Sequence, residues 1–167
     1  MKRLYFVFLL IVVLGCSEEK EPPFDMPSNS EQLLAGDSIK TWKLARRFNN
    51  TTRMNMGDCF LSYQVTYSKG GKIVDNNSKQ NDCGESMNSC WSFYKSEDNY
   101  PYIKFKGGNI QKLMNLKNDY KFFKILDLNE KQMVLEFQHK QFSNKVSTIV
   151  DVYVPKDAVV EDRKFHW

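Results

Sequence analysis

The sequence predicts an all-β domain, a single antiparallel eight-stranded up-and-down barrel preceded by a short N-terminal helix. Three observations carry this prediction. Eight separate runs are rich in β-branched and aromatic residues, in a chain with 12 Phe and 8 Tyr in all, and such side chains favour a pleated, half-buried surface. Several runs alternate apolar and polar residues, the period of a strand with one buried face. The connections are short and carry turn residues, so consecutive strands pair. Eight strands that close on themselves remove every edge and enclose room for side chains or one small ligand.

In chain order, "SNSEQLLAG" (28–36) offers Ser30 as an N-cap, a carboxylate in the first turn and Gly36 as a stop. Strands follow at 40–48, 59–68, 71–76, 90–96, 102–107, 120–128, 132–140 and 145–154. Leu61, Tyr63, Val65 and Tyr67 fall on one face by alternation. So do Met133, Leu135 and Phe137, and so do Val146, Val150, Val152 and Val154. Gly70-Gly71 and Asn76-Asn77 bracket one short strand, Gly107-Gly108 closes another, and Asn129-Glu130 fits a tight hairpin turn. "NIQKLMN" (109–115) spaces Ile110, Leu113 and Met114 for one face of a helical turn.

Ahead of this domain, Lys2 and Arg3 precede an uncharged run from Leu4 to Leu14 that ends at Gly15-Cys16. The run is shorter than the roughly 18 apolar residues a membrane-crossing helix requires, so it is expected to be a cleaved leader, residues 1–15. Gly15 supplies a small residue at the cut. Gly15-Cys16 resembles the lipobox of bacterial lipoproteins, which implies acylation of Cys16. Residues 16–30 form an acidic tether with three prolines and three serines after Cys16, a composition unable to bury enough apolar surface to fold. Ser17, by resemblance to sorting rules in diderm bacteria, implies the outer membrane. Glu18-Glu19-Lys20-Glu21 is similar to the export signal that brings lipoproteins of Bacteroidota to the cell surface. The barrel is expected over 31–155, with 156–167 a C-terminal tail.

Charge excludes one class of partner. Losing the leader removes Lys2 and Arg3 from a chain of net charge +4, and no clustered basic stretch remains of the kind that nucleic acid binding demands.

The domain resembles the lipocalin-like lipoproteins of Bacteroidota, calycin-type barrels behind a lipobox and tether. The resemblance lies in "LLAGDSIKTWKLARR" (33–47), "DCFLSYQVTYSKGGKI" (58–73), "DCG" (82–84), "CWSF" (90–93) and "FKILDLNEKQMVLEF" (123–137). It departs from true lipocalins in the distance of Gly36 from Trp42 and in lacking an assignable basic residue to stack on Trp42; Lys145 and Arg163 are the candidates.

With Cys16 acylated, Cys59, Cys83 and Cys90 remain in an oxidising compartment, where one disulfide and one leftover thiol is the simplest outcome. The family resemblance implies the pair Cys59 and Cys83. Spacing alone leaves Cys83 with Cys90 open as well. No metal or cofactor is expected, because only His139 and His166 could join the cysteines and neither stands at ligand spacing. No catalytic residue is expected either. The chain carries no nucleophile elbow, P-loop, dinucleotide turn or zinc-protease helix, and Asp127 and Glu136 fall on alternate positions expected to face water.

A binding module remains. Extending the alternation inward gives Trp42, Leu44, Arg46, Tyr63, Trp91, Phe93, Phe122, Leu135 and Phe137 as the expected lining of a calyx for a small hydrophobic or amphipathic ligand, with Arg46 towards the open end meeting an anionic head group. A second class of function is a protein-interaction module, such as an enzyme inhibitor or an accessory subunit of an envelope complex. It would act through the polar loop "NNSKQNDCGESMNS" (76–89).

Overall fold

The computed structural model describes residues 22–140 and 145–164. The leader, Gly15, Cys16 and the first part of the tether lie outside the described residues, as does His166.

The domain is an eight-stranded antiparallel barrel, closed in sequential order. Its elements are α1 (Ser30–Ala35), β1 (Ile39–Asn49), β2 (Thr52–Arg53), α2 (Asp58–Ser62), β3 (Gln64–Ser68), β4 (Lys72–Asp75), a 3-10 turn (Asn77–Lys79), β5 (Asn88–Lys95), β6 (Pro101–Lys106), α3 (Ile110–Leu113), β7 (Tyr120–Leu128), β8 (Met133–Lys140) and β9 (Val146–Pro155). Each long strand pairs with the next, and β1 pairs with β9 to close the wall. The two-residue β2 only folds back on the end of β1, matching Phe48 to Arg53 and Asn49 to Thr52. Closure leaves the eight wall strands no free edge.

One end of the barrel is sealed by α1. Leu33, Leu34 and Ala35 are buried in the core cluster with Trp42, which is wholly inaccessible. The Trp42 indole donates to the Leu34 carbonyl at 2.9 Å, satisfying the one polar atom that its burial would otherwise strand. Lys40 donates to the Leu33 carbonyl at 2.8 Å and places its ammonium 4.0 Å over the Trp42 ring. The cation over Trp42 therefore comes from the same strand and not from Lys145 or Arg163; Arg163 donates instead to the Leu44 carbonyl at 2.8 Å. Asn29 occupies the N-cap of α1, while Ser30 is its first helical residue and is buried with its hydroxyl donating to the Pro27 carbonyl.

Four departures from the expected pattern decide which side chains face inward. First, the run 59–68 is not one strand: Asp58–Ser62 is the helix α2 and β3 begins only at Gln64. The amides of Phe60 and Leu61 both donate to the Gly57 carbonyl at 3.0 Å, closing a helical turn over the barrel mouth. Second, β1 is bulged between Leu44 and Arg46, with Leu44 opposite Tyr153 but Arg46 opposite Val152. One extra residue reverses the alternation. Ala45 is buried with Leu44, and Arg47 takes the inward register that Arg46 was expected to hold. Third, β7 is bulged between Ile125 and Asp127, so Phe123, Ile125 and Leu128 face inward. Fourth, β9 turns Ser147, Ile149, Asp151 and Tyr153 to the interior, and the valines lie on the other face. A β-branched residue suits either face of a strand, so a row of valines does not by itself identify the buried one.

Candidate functional site

The interior is not filled solid. Towards the mouth lies an open cavity of about 410 Å3, lined by Val65 and Tyr67 of β3, Phe105 of β6, Phe123 of β7, and Leu135 and Phe137 of β8. Its aromatic wall is continuous: the Phe105 and Phe123 rings are 4.4 Å apart, and Phe123 and Phe137 are 5.0 Å apart. Ligand pockets run from roughly 300 to 1,000 Å3 and are lined mainly by apolar groups with a few polar ones, and this cavity is at the small end of that class.

The mouth is built from three connections. α2 crosses it between β2 and β3, the loop between β4 and β5 borders it, and α3 sits between β6 and β7. Cys59 of α2 is disulfide-bonded to Cys83 of the loop, with Cα atoms 5.3 Å apart, and both line the cavity. The loop is held on its far side as well. Asn109 donates to Glu85 and to the Ser86 carbonyl at 2.9 and 2.8 Å, and Lys112 pairs with Glu85 at 2.9 Å. Cys90 is free and exposed.

One corner of the cavity is polar. Arg47 donates from Nε and Nη2 to the two carboxylate oxygens of Asp151, each at 2.6 Å. The Tyr153 hydroxyl donates to the same carboxylate at 3.1 Å. The Tyr63 hydroxyl reaches Asp75 at 3.4 Å, and Asp75 also accepts the Asn77 amide at 3.1 Å. The Arg47 guanidinium lies 4.4 Å over the Phe60 ring of α2. Burial alone would depress the pKa of Arg47, but the hydrogen bond and charge of Asp151 outweigh it and hold the guanidinium above its ordinary value. Burial raises the phenols of Tyr63, Tyr67 and Tyr153, and Asp75 raises Tyr63 further while Asp151 raises Tyr67 and Tyr153. All three are therefore neutral, and Tyr63 and Tyr153 are hydrogen-bonded to carboxylates.

Of the residues expected to line a calyx, Tyr63, Leu135 and Phe137 do border this cavity. Trp42 and Leu44 are fully buried core side chains. Trp91 is buried with its indole donating to the Ser68 carbonyl at 3.0 Å, and Phe93 packs against it at 5.4 Å. Arg46 and Phe122 point away from the interior. The β1 bulge accounts for Arg46. Phe122 pairs with outward Lys104 and joins a ring cluster with Tyr94, Tyr102 and Tyr120 on the outer wall.

Arg47, Asp75, Phe105, Phe123, Asp151 and Tyr153 escaped the sequence reading. One sign was available: Asp151 is a lone carboxylate within "VSTIVDVYV", and a charge embedded in an apolar strand requires a partner wherever that face is buried. Nothing in the sequence points to Arg47 as that partner.

No known family model matches the chain, and no curated protein matches it significantly.

Proposed function

We propose that this chain is a lipid-anchored outer-membrane lipoprotein, cleaved after Gly15 and acylated at Cys16, whose lipocalin-like barrel binds a small hydrophobic or amphipathic molecule. The observation that carries the binding role is the aromatic-walled cavity of about 410 Å3 with its polar corner at the barrel mouth. The anchor rests on the leader and on the resemblance to a lipobox. Cell-surface display on a bacterium of the Bacteroidota type rests on the acidic run after Cys16.

A protein-contact role for the loop at 76–89 is the competing reading, supported by exposed Asp82, Gly84 and Glu85 beside a disulfide. The same loop contributes Asn77, Cys83, Gly84, Glu85 and Met87 to the cavity wall. That arrangement favours a structural part in forming the mouth.

The test is native mass spectrometry of the barrel from an oxidising compartment, beside an organic extract of the same sample. A stoichiometric co-purified lipid or isoprenoid is expected. A bare polypeptide that also binds no amphiphile offered to it would move the function to the loop. For the anchor, whole cells fed an alkyne fatty acid should label the protein, and Cys16→Ala should abolish the label.

A further inference from the structure

We infer that the calyx selects an amphiphile whose polar group is an ammonium, and discriminates against carboxylates and phosphates; this rests on the binding role proposed above. The polar corner that suggests an anion site is already occupied by the protein's own anions. Among the described residues that line the cavity, Arg47 is the one cation, against Asp75, Glu85 and Asp151. Both carboxylate oxygens of Asp151 take its guanidinium at 2.6 Å. An incoming carboxylate would have to displace Asp151, both of whose oxygens are bonded to that guanidinium, at the cost of a buried unpaired charge.

The remaining charges reinforce this. Glu85 is paired with Lys112 at the rim. Asp75 is met by a hydroxyl and an amide, and no cation is in ion-pair contact with it among the described residues. Lys121 has the inward register at the mouth, opposite Phe105, but its ammonium donates to the Gln138 carbonyl at 2.9 Å and rests 5.0 Å over Phe137. Asp75 is therefore the lining charge left for a ligand to answer, and the same cavity wall carries the rings of Phe105, Phe123 and Phe137. An ammonium within about 6 Å of a ring centroid is attracted by the ring quadrupole, most strongly where water is excluded, and a carboxylate in the same cavity adds a Coulombic attraction that weak screening enhances.

The test compares three probes with the same apolar body: dodecyltrimethylammonium, dodecanol and dodecanoate, each below its micelle-forming concentration. They are titrated calorimetrically into the oxidised protein from Ser17 onward, which retains the whole barrel. The ammonium is expected to bind at least about tenfold more tightly than dodecanoate, with dodecanol between them. Asp75→Asn, which keeps the hydrogen-bond acceptor, should bring the ammonium and dodecanoate affinities close to equality, while Asp75→Glu should preserve the preference. Near-UV circular dichroism identifies any variant that loses the fold. Dodecanoate or dodecanol binding as tightly as the ammonium overturns the selectivity and leaves the calyx standing. A ratio unchanged in a folded Asp75→Asn protein overturns the role of Asp75. If none of the three binds, the binding role itself fails and the selectivity falls with it.

Discussion

Arg47 and Asp151 stand 104 positions apart in the chain and meet through two 2.6 Å hydrogen bonds across the seam between β1 and β9 that closes the barrel. They are register partners, so the ion pair and the strand pairing that completes the cylinder form together. The Asp151 side chain is 2% exposed and that of Arg47 19%.

Removing one member leaves the other buried without its counterion. Asp151→Ala is expected to lower the unfolding free energy by about 3 kcal/mol, in the range for broken buried pairs. The double variant Arg47→Met with Asp151→Leu should recover most of that loss, because well-packed apolar residues avoid the desolvation of both charges. Urea denaturation of the two variants and the parent checks the claim; equal losses in the single and double variants would show that packing, and not the stranded charge, is what matters.

Alkaline stability should reflect two buried phenols, Tyr67 and Tyr153, and the half-buried Tyr63. Tyr63, Tyr67 and Tyr153 have pKa values raised above 10 by burial first and by neighbouring carboxylates next. Above about pH 10 the unfolded chain releases protons that the folded chain retains. Stability is then complete below pH 10 and falls as pH rises through that region, by up to about 1.4 kcal/mol per pH unit for each tyrosine. Tyr153→Phe should flatten this slope measurably in denaturation series between pH 9 and 11, conditions set by the tyrosine range. An unchanged slope would mean that other groups govern alkaline unfolding.

Reduction of Cys59–Cys83 releases α2 from the loop bordering the mouth. The bridge spans a sequence separation of 24, for which the chain-entropy model gives about 3 kcal/mol of stabilisation. A Cys59→Ser, Cys83→Ser variant should lose stability on that order. It should also bind any calyx ligand more weakly, because both cysteines line the cavity. In the oxidised protein from Ser17 onward, alkylation followed by peptide mapping should find the label on Cys90 alone. Label on Cys59 or Cys83 would contradict the pairing.

Gly107 and Gly108 offer a matched pair for the β6 to β7 connection. Both have positive φ, +71° and +60°, but a Cβ on Gly107 would meet nothing within 4 Å, whereas one on Gly108 would lie 1.7 Å from the Asn88 carbonyl oxygen. Gly107→Ala should cost about 1 kcal/mol for its left-handed backbone. Gly108→Ala adds a backbone clash that must separate the chain before α3 from the start of β5, for a further 1–3 kcal/mol or so. Thermal denaturation of the two variants gives the comparison, and equal shifts would count against so close an approach.

Much of the fold was legible because strand signals are local. The runs at 120–128 and 132–140 became β7 and β8 nearly residue for residue, since aromatic and β-branched composition, alternation and the Asn129 turn all agree there. Cys59–Cys83 agrees with the pairing implied by the family resemblance. The run at 59–68 failed at its start because Phe60 and Tyr63, three apart, also fit one turn of helix, and only the packing of Phe60 and Leu61 over the mouth separates the two.

What the sequence by itself determined is the all-β class, the order and approximate limits of the strands, and the helix that precedes them, since each follows from side-chain bulk and spacing within a few residues. What only the tertiary structure decided is the face each side chain presents around the cavity. The bulges in β1 and β7 each insert one residue into a pairing whose partner lies on another strand, and a single inserted residue exchanges inside for outside along the rest of the strand. Arg47 thus displaced Arg46, Leu128 joined Phe123 and Ile125 on the inner face, and the polar corner formed around Asp151, a carboxylate that can be buried there because closure of the barrel brings a guanidinium opposite it.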